Sequence, residues 1–174
     1  MNTDAALVIC DYYKKWRDVI FEIEPDQVDI SQESADTVYG VIVDIGMRDR
    51  QTSAKWAISL TAFPTGEASF HPTPGGSVVG VGSYGPQVAK TAQEIVRIAQ
   101  TLWDKTSPTE DYSLPDTGYA QFLFLTTGGV RVYQGHLHDI QTPANPFGTL
   151  LSRFGLIRHI ADRILDEKNA SRAE

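Results

Sequence analysis

Ser69-Phe70-His71-Pro72-Thr73-Pro74-Gly75-Gly76-Ser77-Val78-Val79-Gly80-Val81-Gly82-Ser83-Tyr84-Gly85-Pro86 is the stretch from which the architecture of this chain is read. Gly75 and Gly76 sit between two short runs and can take the positive φ angles that a tight hairpin needs. The spacing predicts a short strand over residues 77–81, antiparallel to the run through Phe70, with Phe70 and Val79 on neighbouring strands. Pro86 suits the first helical position, where its missing N–H would be an orphan donor in any case. Beyond it Val88, Ala92, Ile95, Ala99 and Leu102 recur at helical spacing, with Ile98 in the same stripe. Lys90, Glu94, Arg97 and Asp104 take the other face, so this is a surface helix with one side packed down.

Gly80-Val81-Gly82-Ser83-Tyr84-Gly85 fits G-x-G-x-x-G between a strand and a helix. In a dinucleotide site such a turn and the helix N-terminus hold a pyrophosphate. The preceding strands read as an antiparallel meander instead of a βαβ unit. The acidic residue expected after the next strand is missing, because residues 119–125 run into Thr126-Thr127-Gly128-Gly129. A tight connection built from small residues is therefore the expected role. Gly80, Gly82, Ser83, Tyr84 and Gly85 are kept as the alternative ligand-binding set.

Outward from this unit, residues 5–23 form an amphipathic helix capped by Asp4. Val8, Tyr12, Trp16, Val19 or Ile20, and Ile23 are on its apolar face, with Lys14, Lys15, Arg17 and Asp18 opposite. Residues 24–36 are acidic and broken by Pro25, which reads as a solvated linker with at most one turn of helix. The competing reading is a functional acidic loop that receives a basic partner. Residues 38–47 and 55–63 alternate as strands. The first sets Val41, Val43 and Ile45 against Gly40, Ile42 and Asp44; the second sets Trp56, Ile58, Leu60 and Ala62 against Ala57, Ser59 and Thr61. A turn at Pro64-Thr65-Gly66 leads into a strand over 67–71, and short turns make these runs antiparallel neighbours.

After the central helix, residues 106–118 carry Pro108 and Pro115 and read as an irregular connection. Residues 119–126 and 130–134 form a hairpin across Thr127-Gly128-Gly129, residues 135–146 a loop. A last helix over 147–166 buries Phe147, Leu150, Phe154, Ile157, Ala161 and Ile164, before a polar tail. The expected fold is α+β: a mostly antiparallel sheet of about six strands with three packing helices, ordered α-ββββ-α-ββ-α. It forms one domain over residues 1–174, with the helix at 4–24, the linker at 25–37, the main body at 38–166 and the tail at 167–174.

The 174 residues carry a net charge of −7, with 41% hydrophobic and 21% charged residues, ordinary for a soluble globular chain. Scattered Lys and Arg argue against nucleic acid and anionic membrane as partners, and leave a basic protein partner open. Cys10 is the single cysteine, which excludes an internal disulfide and a cysteine-based zinc cluster. It reads as a small core residue of the first helix. No signal-like segment or long apolar run is read, so a cytoplasmic location is expected.

His136-Leu137-His138-Asp139 is the most site-like polar cluster, yet no third ligand accompanies His136 and His138, and neither a metal nor a cofactor is expected. There is no G-x-S-x-G, and Cys10 lies in the wrong context for a nucleophile. Glu22 with Glu24, and Glu110 with Asp111, read as solvated pairs. Asp44 interrupts an apolar strand. It lies either on an open face of the sheet, which is the expectation, or buried with a partner.

Residues Val38-Tyr39-Gly40-Val41-Ile42-Val43-Asp44-Ile45-Gly46, the glycine-rich turn at 75–82, the following helix and Glu110-Asp111-Tyr112-Ser113-Leu114-Pro115 resemble a family of uncharacterised bacterial proteins. The likeness covers about residues 38–160 and departs in the longer, more polar turn at 47–53. It implies no activity, catalytic residue or cofactor. The leading expectation is a non-enzymatic interaction module, such as an immunity or accessory protein with a protein partner. A small-molecule or nucleotide binder using the 80–85 loop is the alternative. A hydrolase assembled from dispersed Asp44, His71 and His136 is a third reading.

Overall fold

A computed structural model describes residues 6–30 and 34–171 of the chain. β1 (Val38–Arg48), β2 (Lys55–Ala62) and β3 (Ala68–Pro72) form the expected antiparallel meander, with Val43 opposite Leu60 and Leu60 opposite Phe70. The β1–β2 turn is closed by Asp49, whose carboxylate accepts from the backbone N–H groups of Gln51 (2.9 Å) and Thr52 (2.6 Å).

The strand expected over 77–81 is not formed. One antiparallel bridge joins Phe70 to Val78, and Val79, expected beside Phe70, is 65% exposed. Gly80 takes φ 71°, and Val81–Tyr84 wind into a 3-10 turn. Gly82 explains the departure: a Cβ there would stand 2.1 Å from the carbonyl oxygen of Gly66. The turn is pressed onto the β2–β3 hairpin at a distance only glycine allows. Gly82→Ala is expected to cost about 1–3 kcal/mol, because backbone must move to admit the methyl group. Urea unfolding checks this, and an unshifted midpoint would mean the turn slides freely.

α2 (Pro86–Thr101) begins at Pro86 as expected and buries Val88, Ala92, Ile95 and Ala99. The connection read as irregular contains a short strand, β4 (Ser107–Pro108), paired with Val132 and Arg131. β5 (Tyr119–Thr126) and β6 (Gly129–His136) form the second hairpin. The loop after it begins with one short helix, α3 (Leu137–Ile140). α4 (Phe147–Ala170) buries the six residues the periodicity assigns to it and runs beyond residue 166, through part of the expected tail.

Among the described residues six strands lie in the order β3-β2-β1-β5-β6-β4, every pairing between them antiparallel. The α+β class and the six-stranded count hold, but the sixth strand is β4 at the edge opposite β3, not residues 77–81 beside Phe70. On one face Val41, Val43, Ile45, Ile58, Leu60, Phe122 and Phe124 form the main core with α2 and α4. Arg153 ties α4 to Glu94 of α2 at 3.4 Å.

The first helix, α1 (Asp11–Ile20), covers the opposite face and is shorter than expected. Asp4, its expected cap, lies outside the described residues. Residues before Asp11 spend their backbone groups on the sheet: Val8 N–H donates to Lys55 O (2.9 Å) and Cys10 N–H to Thr73 O (2.7 Å). Cys10 is therefore a half-buried cap residue outside the helix. In the acidic segment, Pro25–Val28 form one 3-10 turn closed by a reciprocal Glu24–Gln27 capping box. Pro25 and Val28 are buried, so this part is anchored, not a solvated linker. No helix among the described residues is long and apolar enough to cross a membrane.

Candidate functional site

Strand alternation puts the polar residues of four strands on the face beneath α1. His71, Ser59, Asp44 and Gln121 are successive cross-strand partners on β3, β2, β1 and β5, forming one polar rung. The next rung begins with Ser69 and Thr61 and continues with apolar Ile42 and Leu123. A sheet face carrying that many hydroxyls, a carboxylate and an imidazole reads as solvent-facing. Here it is covered, and each of these polar residues is buried.

Asp44, expected on an open face, is fully buried, with Arg17 of α1 as its partner. The guanidinium donates to both carboxylate oxygens, at 2.8 Å and 2.6 Å, and to Tyr112 O at 2.8 Å. Ser59 Oγ donates to the same carboxylate, and Tyr13 Oη lies 2.6 Å from Ser59 Oγ. Two-pronged pairing of this kind satisfies both charges away from water. Burial alone would depress the Arg17 guanidinium, yet the adjacent Asp44 charge and its hydrogen bonds hold it above the ordinary range. Burial, with Asp44 adding to it, pushes the Tyr13 phenol up, so Tyr13 stays protonated and bridges.

His71 is fully buried, stacked on Trp16 with ring centroids 3.8 Å apart and planes 18° apart. Its Nε2 lies 2.8 Å from Ser69 Oγ, and Ser69 Oγ lies 2.6 Å from Thr61 Oγ1. His71 Nδ1 is buried with no hydrogen-bond partner among the described residues. Burial lowers the imidazole pKa to about 4, so the ring is neutral at neutral pH.

Beside this cluster a groove of about 200 Å³ opens between α1 and β3. Trp16, Val19, Ile20 and Ile23 line it at helical spacing, and Glu67, Ser69 and His71 at strand spacing. Thr61, Phe63 and Ala68 also line it, and Val79 and Gly80 complete the rim. Val19 is 58% exposed there.

Of the alternative ligand-binding set, Gly80 thus lines the groove. Ser83 Oγ donates to Gly80 O at 2.7 Å, Gly82 sits against Gly66, and Gly85 precedes α2. Tyr84 is exposed. The dispersed set of Asp44, His71 and His136 is not gathered: Asp44 and His71 share a rung with Ser59 between them, while His136 sits on β6 in a T-shaped contact with Tyr119. His136 Nδ1 accepts from His138 N–H at 3.2 Å, and no group of three metal-ligating side chains occurs among the described residues.

Sequence reading missed Tyr13, Arg17, Ser59, Thr61, Ser69 and Gln121. The available signal was the row of polar residues at matching strand positions, together with Tyr13, Trp16, Arg17 and Ile20 spaced as one helical stripe. Comparison with protein-family models, curated proteins and solved structures finds no match, so function is argued from geometry alone.

Proposed function

We propose that this protein is a small acidic interaction module that binds a protein partner along α1, in the manner of an immunity or accessory protein. The observation that carries this reading is the groove rim, where Val19 and Val79 stand 58% and 65% exposed beside an apolar wall. Exposed valines flanking a preformed cleft are what a docking surface leaves bare in the free state. Tyr12 of α1, also exposed at 53%, extends the apolar strip towards the His71 end of the groove. The net charge of −7 would steer a basic partner and speed encounter.

The test is affinity capture from the encoding organism with wild-type bait and a Val19→Ser/Val79→Ser double variant, which removes apolar area without adding charge. Burying each valine is worth about 1.5 kcal/mol, so the double variant is expected to bind the same partner roughly a hundredfold more weakly. Both side chains are exposed, so its melting temperature should stay near wild type. Equal recovery of the same protein by both baits would remove this surface from the interface.

A further inference from the structure

We propose that the groove between α1 and β3 takes a lysine side chain presented by the protein partner, its aliphatic stem against α1 and its ammonium group on the β3 wall. This deepens the interaction reading above and rests on it.

The two walls differ in kind. Trp16, Val19, Ile20 and Ile23 offer only apolar surface and the indole ring, whereas the other wall carries the exposed carboxylate of Glu67 together with the polar residues Ser69 and His71. An occupant matching both is amphipathic along its length. At about 200 Å³ the cleft falls below the ~300 Å³ at which small-molecule sites usually begin. It suits one long side chain better than a cofactor. His71 is fully buried, and its Nδ1 has no hydrogen-bond partner among the described residues. A buried polar atom left in that state is costly, and an incoming polar group would relieve it.

Charge decides which amphipathic chain. Among the described residues Glu67 is the single charged residue of the lining, and it is exposed. Ile23 lies between exposed Glu22 and Glu24. From Asp18 to Asp29 the chain carries five acidic residues and no Lys or Arg. The carbonyl end of α1, at Ile20 and Phe21, adds partial negative charge on the same side. His71 stays neutral and adds no repulsion. Lysine fits better than arginine because the wall presents separate acceptor atoms, which suit a compact three-donor ammonium; a planar guanidinium seeks a bidentate partner.

The experiment titrates the 174-residue chain with the capped peptide Ala-Val-Lys-Val-Ala, following the Trp16 indole and Ser69 amide resonances by NMR. The comparisons are the same peptide with norleucine for lysine, free n-butylamine, and the Glu67→Gln variant. The lysine peptide is expected to shift both resonances and bind at least tenfold tighter than the norleucine peptide. Glu67→Gln and 0.5 M salt should each erase most of that preference. Equal binding of the norleucine peptide, or no shift at these resonances at saturating peptide, overturns the proposal. Equal affinity for n-butylamine assigns the groove to a free amine and overturns the protein-borne source. The double-valine capture test reads the groove rim as a whole and uses no lysine probe. A partner lost by that variant, alongside a peptide that fails to bind, leaves the interaction surface standing and removes the lysine pocket.

Discussion

Asp44→Asn is expected to be among the most damaging single changes this protein can suffer, at about 3–5 kcal/mol. The substitution is nearly isosteric, so packing loss does not cause it. It removes the charge facing Arg17, whose side chain is only 12% exposed and whose counter-ion is fully buried. The guanidinium would keep its hydrogen bond to Tyr112 O, but it would hold an uncompensated charge with little access to water. Arg17→Met is expected to cost a comparable amount for the mirror-image reason, with the Asp44 carboxylate left to Ser59 alone. The Arg17→Met/Asp44→Asn double variant removes both charges. It should be more stable than the sum of the single losses implies, with coupling of at least about 1.5 kcal/mol. Urea unfolding of the four proteins closes the cycle. A cost below about 1 kcal/mol for Asp44→Asn, shrinking further in salt, would show a solvent-screened pair and would defeat the account of α1 as an element held by buried charge.

That pair also explains which parts of the structure could be read from residues alone. Alternation along β1 and β2, the proline opening α2 and the six-residue stripe of α4 are local patterns, and each is enforced by one apolar face that must be covered. The orientation of α1 is not local. Its periodicity favours Tyr12, Trp16 and Val19 inward, yet Tyr13, Trp16, Arg17 and Ile20 face the sheet, while Tyr12 and Val19 are exposed. The helix is turned so that Arg17 meets Asp44, because leaving that carboxylate buried alone would outweigh the apolar area lost at Val19. The same reasoning covers the polar rung. Ser59, Thr61, Ser69 and His71 read as an outer face because strand alternation reports sidedness without saying what will lie on either side. The missing strand at 77–81 failed for a third reason: the clearance at Gly82 is set by Gly66, sixteen positions away in the chain, and β-propensity carries no information about it.

The second large effect is one of pH. His71 titrates at about 4 in the folded protein because burial disfavours the imidazolium, against about 6.5 in the unfolded chain. The unfolded state therefore binds the proton more readily, and stability rises with pH wherever the two states differ in protonation. Above pH 6.5 the residue contributes no slope. As the pH falls from 6.5 to about 4, stability drops by about 3 kcal/mol, and below that range both states are protonated and the term levels off. The groups facing His71 do not reverse this sign. Trp16 and Tyr12 stack on it from α1, Ser69 lies against Nε2, and Asp44 on the same rung is already neutralised by Arg17. Glu67, the carboxylate in the groove, is exposed. Asp49 and Asp111 are also lowered, by hydrogen bonds from Thr52 and from Ser113, but from the carboxylate range, so they act at lower pH. His71→Phe keeps an aromatic ring for Trp16 and leaves Ser69 bonded to Thr61. It should stay within about 1 kcal/mol of wild type at pH 7 and lose the slope between pH 6.5 and 4. Parallel stability curves for the two proteins, or an imidazole that titrates near 6.5 by NMR, would mean that water reaches the ring and that α1 does not seal this face of the sheet. A lysine-bearing partner lying over the groove should depress the His71 titration further, since a cation beside the ring opposes its protonation.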